Sequence, residues 1–450
     1  MKLNFFKSLL LSSFVILLSS CLDKDVDETV VSSNPSFLGL TFAANDSIPN
    51  IEKAEFTLEY DAILDDSIIV NLDSLPFQTR IDSVNPTFYF NSTSGARLIF
   101  ENDSIIITGT DTIDFSQSVK LINRASDGVT FSKPYRIKVN VHKVEPELYI
   151  WSKIKDLDTH GTTSQKAVLL KNTIYYYQNN GSTNYLYKSN DGSNWTPTPV
   201  SNLPSNVSFN NLTIFNDSLY ITNNNIIYKS SNGSDWTVNI VNNYNFKSIL
   251  FSLNNKLWAI AQLKSDPSKY YFVSSIKGIS WPENTSEVIP TGFPVSDFSA
   301  LSFSSRTGKP KAIVIGGKNA KNKMGSWSTE NGTYWVSLSY ENNNLDTLST
   351  GSSIIAYDNK LFLFGNSINR VNHFRESIDE GLTWRKPDST YNYLPKTYQS
   401  RSYQSVVVYK PIATDTSYDA NRIYIIGGQN ESTVFSDIWT GKLNRKYFLR

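Results

Sequence analysis

From about residue 35 onward, apolar and polar positions alternate with a period of two, in short runs that each close on a polar or glycine-containing turn. Ala54-Glu55-Phe56-Thr57-Leu58, Ser67 to Val70, Ser104 to Ile107 and Tyr135-Arg136-Ile137-Lys138-Val139-Asn140-Val141 are runs of this kind. A period of two puts alternate side chains on opposite faces of an extended chain, so these runs read as half-buried strands. Turn signals recur roughly every ten residues, which predicts a small β-sandwich over 35–147. Glu145-Pro146-Glu147 breaks the pattern, because proline restricts the residue before it and removes a backbone donor, and marks a domain boundary.

Beyond that break the chain repeats itself. Five tryptophans follow a glycine turn: Ser189-Asn190-Asp191-Gly192-Ser193-Asn194-Trp195 is the first, and Gly233 with Trp236, Gly278 with Trp281, Gly332 with Trp335 and Gly381 with Trp384 repeat it. Ahead of several of these turns lie two strands joined by Asn216-Asp217, Asn254-Asn255 or Asp358-Asn359, dipeptides suited to two-residue hairpins. Each unit is predicted to be a four-stranded antiparallel blade of about 45 residues, the size of a propeller repeat. The sixth unit ends with Ser436 to Leu443, where Trp439 aligns with Trp327 and Tyr187, and no outer strand follows. Tyr149-Ile150-Trp151-Ser152-Lys153-Ile154 reads as that missing strand, so 148–155 is expected to complete the last blade and leave no open edge. The expected fold is all-β: an N-terminal sandwich followed by a six-bladed β-propeller over 148–450.

The glycine–tryptophan turns resemble the Asp-boxes of sialidase-like propellers, and Ser377-Ile378-Asp379-Glu380-Gly381-Leu382-Thr383-Trp384 carries the full pattern. In such a turn an Asp or Asn side chain accepts backbone N–H groups of its own hairpin, glycine supplies a positive φ, and the tryptophan fills the space between sheets. Asp191, Asp379 and their glycines and tryptophans are therefore read as scaffold. Ile313 to Gly317 and Ile423 to Gly428 end in a double glycine that resembles kelch repeats.

Lys2 and Lys7 precede a mostly apolar stretch, Leu9 to Leu18, too short to span a bilayer, and Leu18-Ser19-Ser20-Cys21 follows. This resembles a lipoprotein signal peptide with a lipobox (1–21) and implies acylation of Cys21. The chain has 1 cysteine, so no disulfide forms within it and the sandwich reads as immunoglobulin-like of the disulfide-free kind. Residues 22–34 begin with the acidic run Leu22 to Glu28, a flexible tether similar to the tag that sends Bacteroidota lipoproteins to the outer face of the outer membrane. With Leu72 to Pro76, Asp114-Phe115-Ser116 and Val141 to Pro146, the whole resembles uncharacterised Bacteroidota surface lipoproteins that join an immunoglobulin-like module to a kelch- and Asp-box-like propeller. That resemblance implies a lipid anchor in the outer membrane, cell-surface display and no assigned activity.

Composition narrows the chemistry. The 42 basic and 41 acidic residues nearly cancel and form no long basic run, so a nucleic-acid partner is not expected. The three histidines, His142, His160 and His373, have no metal-ligand spacing, and no phosphate-binding glycine loop or nucleophile motif is present; no metal or other cofactor is expected. Tyr135-Arg136-Ile137-Lys138 approaches a sialidase segment but lacks its proline and lies in the sandwich. The expectation is a non-enzymatic lipoprotein whose propeller binds or displays a glycan or a protein, with a glycan-cleaving enzyme as the alternative, its two carboxylates drawn from different blades.

Two further features stand out. Asp followed by Ser or Thr and an aliphatic residue recurs at Ser47, Ser67, Ser74, Ser83, Ser104, Thr112, Ser218 and Thr347; this resembles the O-glycosylation acceptor of exported Bacteroidota proteins, and is equally a common start to a strand after a turn. The loop from Lys386 to Tyr403 holds Tyr391, Tyr393, Tyr398, Arg401 and Tyr403. Its length and aromatic faces suit stacking on a sugar or anchoring a partner, or packing of the loop onto its own blades.

Overall fold

The structure is a computed structural model that describes residues 31–143, 145, 148–223, 225–239, 243–282, 287–318, 325–338, 351–365, 374–387, 392–410 and 421–444. The chain divides into two compact units, one running to Glu145 and one from Pro146 to Arg445.

The N-terminal unit holds a two-stranded sheet, Phe37–Phe42 with Pro86–Phe90, and a six-stranded sheet in which Asp66–Asn71 runs parallel to Tyr135–Lys138 and the other neighbours are antiparallel. Alternation decides what faces inward: in Val119–Arg124, Val119 and Leu121 join Leu40, Ile69, Leu98 and Ile137 in one apolar core. Two asparagines are buried with them and are fully bonded, as a buried amide requires. Asn71 donates to the carbonyls of Asp73 (2.8 Å) and Asn140 (2.9 Å), and accepts the Asn140 N–H at 2.6 Å. Asn123 donates to the carbonyls of Pro35 and Ser92 and accepts the Thr93 hydroxyl. Arg136 pairs with Asp61 at 2.6 Å and with Asp66 at 3.2 Å, so the one segment that approaches a sialidase motif is a strand held by ion pairs.

The second unit is a β-propeller. Its described residues form six sheets, four of them built wholly from consecutive antiparallel strands in the order of the chain: Ser164–Leu170 to Thr196–Thr198, Thr213–Phe215 to Thr237–Asn239, Tyr244–Leu253 to Glu287–Val288, and Ser296–Ser304 to Val336–Ser337. The fifth has three strands, Ser353–Tyr357, Lys360–Phe364 and Arg375–Ser377, where four are expected. Among the described residues the Glu376–Arg385 bridge stands in for the outer strand. The sixth sheet combines Ser405–Tyr409, Arg422–Gln429 and Val434–Leu443 with Tyr149–Asp156, which pairs antiparallel to Val434–Leu443 and lays the Trp151 ring on Gly441.

Local chemistry sets the hairpins. Asn216 and Asp217, Asn254 and Asn255, and Asp358 and Asn359 all have positive φ, between 44 and 58°, the conformation whose twist matches that of the strands it joins. The first strands of the six sheets touch one another in cyclic order, Ser405–Tyr409 returning to Ser164–Leu170. Serines stitch most of these junctions. Ser164 Oγ accepts the Phe209 N–H (2.7 Å), Ser299 Oγ that of Ile354 (3.0 Å) and Ser405 Oγ that of Ala167 (2.7 Å), while Ser248 donates to the Val295 carbonyl (3.1 Å) and Ser353 to that of Gln404.

Farther out, the glycine–tryptophan turns do the same work. Asp191 Oδ1 accepts the N–H groups of Ser193 and Asn194 at 2.8 and 2.7 Å, and Asn331 Oδ1 those of Thr333 and Tyr334 at 2.9 Å. Each turn glycine lies against a side chain of the preceding sheet's second strand: Tyr175 covers Gly233, Tyr220 covers Gly278, Trp258 covers Gly332, Ile313 covers Gly381, and Tyr424 of the last sheet covers Gly192 of the first. Trp236, Trp281 and Trp384 are buried between sheets and Trp195 and Trp335 partly so.

Candidate ligand site

The first strand of every sheet is also an edge strand. Six such edges face a common axial channel of about 560 Å³, where ring closure protects them from pairing with another chain. Edge N–H and C=O groups need partners; the interblade serines satisfy some, and the remainder line the channel. Around them stand Val168, Leu169, Ile214, Leu250, Leu301, Ile354, Val406 and Val408, with Asn210, Asn211, Thr213, Ser252 and Ser302 as polar members.

The single charged side chain among the lining residues is Lys166. Counted back from the hairpin that ends its strand, it stands where the fifth and sixth sheets carry Ser353 and Ser405. It is half-buried, and desolvation, with no carboxylate to offset it, lowers its ammonium below the ordinary lysine value. Asn211 is occupied, its Oδ1 accepting the N–H and hydroxyl of Thr222 at 3.0 and 3.1 Å. Asn210 donates weakly, at 3.4 Å, to Asp297 Oδ1. The Ser302 hydroxyl is buried and has no bonding partner among the described residues. This arrangement offers hydrogen bonds and one cation to an entering molecule, and its described lining brings together no pair of carboxylates.

The aromatic loop is organised differently from a row of free contacts. Tyr391 lies outside the described residues. Tyr398 is 4% exposed and Arg401 1% exposed, so these two face the interior and are corrected here from ligand contacts to packing. Arg401 is sandwiched between the rings of Tyr398 (4.4 Å) and Phe435 (3.7 Å), forms an ion pair with Asp437, and donates to the carbonyls of Gln399 and Gly427. Asp437 in turn accepts the Trp439 indole N–H at 2.8 Å. Burial pushes the Tyr398 hydroxyl up to about 12. Tyr393 and Tyr403 are half-buried; the Tyr403 N–H donates to the Gly351 carbonyl at 2.7 Å and its ring covers that glycine.

Of the Asp-Ser/Thr sites, Ser47, Ser83 and Thr112 are exposed, Ser67, Ser74 and Ser104 half-buried, and Thr347 lies outside the described residues. Ser218 is 5% exposed, next to the core residue Leu219 and paired with the core residue Phe215; it is corrected from acceptor to core. Cys21 and His373 also lie outside the described residues. His160 stacks on Tyr185 at 3.9 Å and meets the Tyr187 hydroxyl through Nε2 at 2.7 Å, and His142 is buried. Among the described residues no group of three or more His, Cys, Asp or Glu side chains is placed to hold a metal ion, and no helix is long and apolar enough to cross a membrane.

Sequence reading did not single out Lys166. Its only signal is a charge at a repeated position that holds Asn211, Ile249, Ala300, Ser353 and Ser405 in the other sheets, visible once the repeats are aligned on their hairpins.

Several solved structures are similar at low identity. Penicillium chrysogenum alpha-L-arabinanase complexed with arabinobiose is 12% identical, with a TM-score of 0.41, over 66% of this chain and 97% of that one. Virginiamycin B lyase from Staphylococcus aureus is 10% identical, TM-score 0.39, over 66% and 100%; the SapL1 lectin in complex with alpha methyl fucoside is 10% identical, TM-score 0.38, over 64% and 99%. No curated protein matches the chain. Residues 145–450 match the DUF6242 beta propeller domain and residues 38–139 the DUF6242 N-terminal domain, and the chain therefore belongs to the DUF6242 family.

Proposed function

We propose that this is a non-enzymatic lipoprotein, anchored through Cys21 in the outer membrane and displayed at the cell surface, whose immunoglobulin-like module carries a six-bladed propeller that binds a glycan or a protein at its axial channel. The observation that carries this reading is the channel lining: free strand edges, hydroxyls, apolar side chains and one cation. Such a surface recognises by hydrogen bonding and apolar contact, as ligand sites generally do. Hydrolysis of a glycoside by the common route needs two carboxylates flanking the bond, and the described lining supplies none. Exposed Ser47, Ser83 and Thr112 are the acceptors we assign to O-glycosylation.

Glycan-array binding by the chain without residues 1–21 tests the ligand reading; specific binding is expected, and turnover of a bound glycan would replace this reading with an enzymatic one. Replacing Cys21 with Ser should move the protein from the membrane fraction to the soluble one. Retention in the membrane would remove the anchor assignment.

A further inference from the structure

We propose that Lys166 is the counter-ion for a carboxylate on the ligand, so that the propeller channel selects an acidic ligand of single negative charge, such as a uronic-acid sugar. This inference rests on the channel being the binding site. Three observations lead to it. Lys166 is the one charged residue of the lining. Neither an ion pair nor a side-chain hydrogen bond holds its ammonium among the described residues; elsewhere in the propeller Lys188 donates to the Asn232 carbonyl and Ser234, and Lys311 pairs with Glu380 at 2.9 Å. And the scaffold has no structural need of an amine there: the equivalent register holds Asn211, Ile249, Ala300, Ser353 and Ser405 in the other sheets, none of them charged, and Ser353 and Ser405 are buried and bonded to the next sheet by a short hydroxyl.

A cation removed from water without a partner is unfavourable, and an anion brought into the same low-dielectric space recovers that loss. The charge of the partner follows from the count. One ammonium balances one carboxylate, whereas a phosphomonoester dianion would leave a second charge in a channel walled by Val168, Leu250, Leu301 and Val406. N–H groups on the outer side of the strand edges are placed to meet neutral hydroxyls of the same ligand.

The test is calorimetric titration of the full chain with glucuronate, and with glucose as its neutral counterpart, for the parent and for Lys166→Ser. Serine is the residue the scaffold already accepts at this register, and a matching thermal melt verifies folding; Lys166→Gln serves as a second variant should the first melt early. The parent should bind glucuronate at least tenfold more tightly than glucose, and Lys166→Ser should lose that preference while keeping any glucose binding. Equal binding of the two sugars by the parent, no binding of glucuronate, or a preference unchanged in both variants would overturn the proposal. Specific glycan-array binding by a parent that shows no preference for glucuronate would leave the binding function standing and remove only the acidic selectivity.

Discussion

The ring of Tyr424, in the last sheet, lies on Gly192, in the first, so closely that a Cβ at residue 192 would fall within 3.0 Å of two ring atoms and the hydroxyl oxygen. The Tyr424 hydroxyl points to the Asp191 carbonyl at 3.5 Å and that of Tyr409 bonds the Asn190 carbonyl. The junction where the chain meets its own beginning thus uses the same device as the junctions between consecutive sheets.

Gly192 has φ 74°, a conformation other residues adopt at a cost, and its contact leaves no room for a methyl group. Gly192→Ala should destabilise the propeller by about 1–3 kcal/mol, as overpacking does, read from the midpoint of urea unfolding. An unchanged midpoint would mean that the Tyr424 ring moves aside freely.

Arg401→Met leaves Asp437 buried without its cation. The expected loss is about 3–5 kcal/mol, accompanied by a change in Trp439 fluorescence, since Asp437 also accepts the indole N–H. Tyr398→Ala should likewise lower stability, because the ring is core. If either variant melted normally and instead lost ligand, this loop would return to the binding site.

Acid should loosen the fifth sheet. Burial alone would raise the Asp379 pKa, but hydrogen bonds from Thr383 and Ser377 outweigh it and hold the carboxyl below its usual range. A group whose folded pKa is depressed adds stability above its unfolded value, about 4, and that contribution is lost as pH falls through the folded value. Asp379→Asn should therefore show a shallower decline of melting temperature between about pH 5 and pH 2; parallel curves for the two proteins would count against this carboxylate.

A chain beginning at residue 157 lacks Tyr149–Asp156 and bares the edge of Val434–Leu443. Exposed edges template association, so this chain should melt earlier and aggregate more than one beginning at 146. Equal melting temperatures and equal light scattering would show that the outer strand contributes little.

What the sequence determined by itself is what short-range chemistry governs. Period-two alternation and turn residues that tolerate positive φ, such as Asn254-Asn255 and Gly192, act within a few residues, so the all-β class and the presence of a propeller are legible without coordinates. Tertiary structure decided which side chains converge. In sequence Tyr398 and Arg401 look like an exposed polar loop; they are buried because Phe435 and Asp437 arrive from a distant strand of the same sheet. Lys166 reads like any solvated strand lysine. Only closure of six edges around one axis makes it the one charged residue of a channel lining, because partial burial and the lack of a counter-charge are properties of the assembled ring and not of any segment.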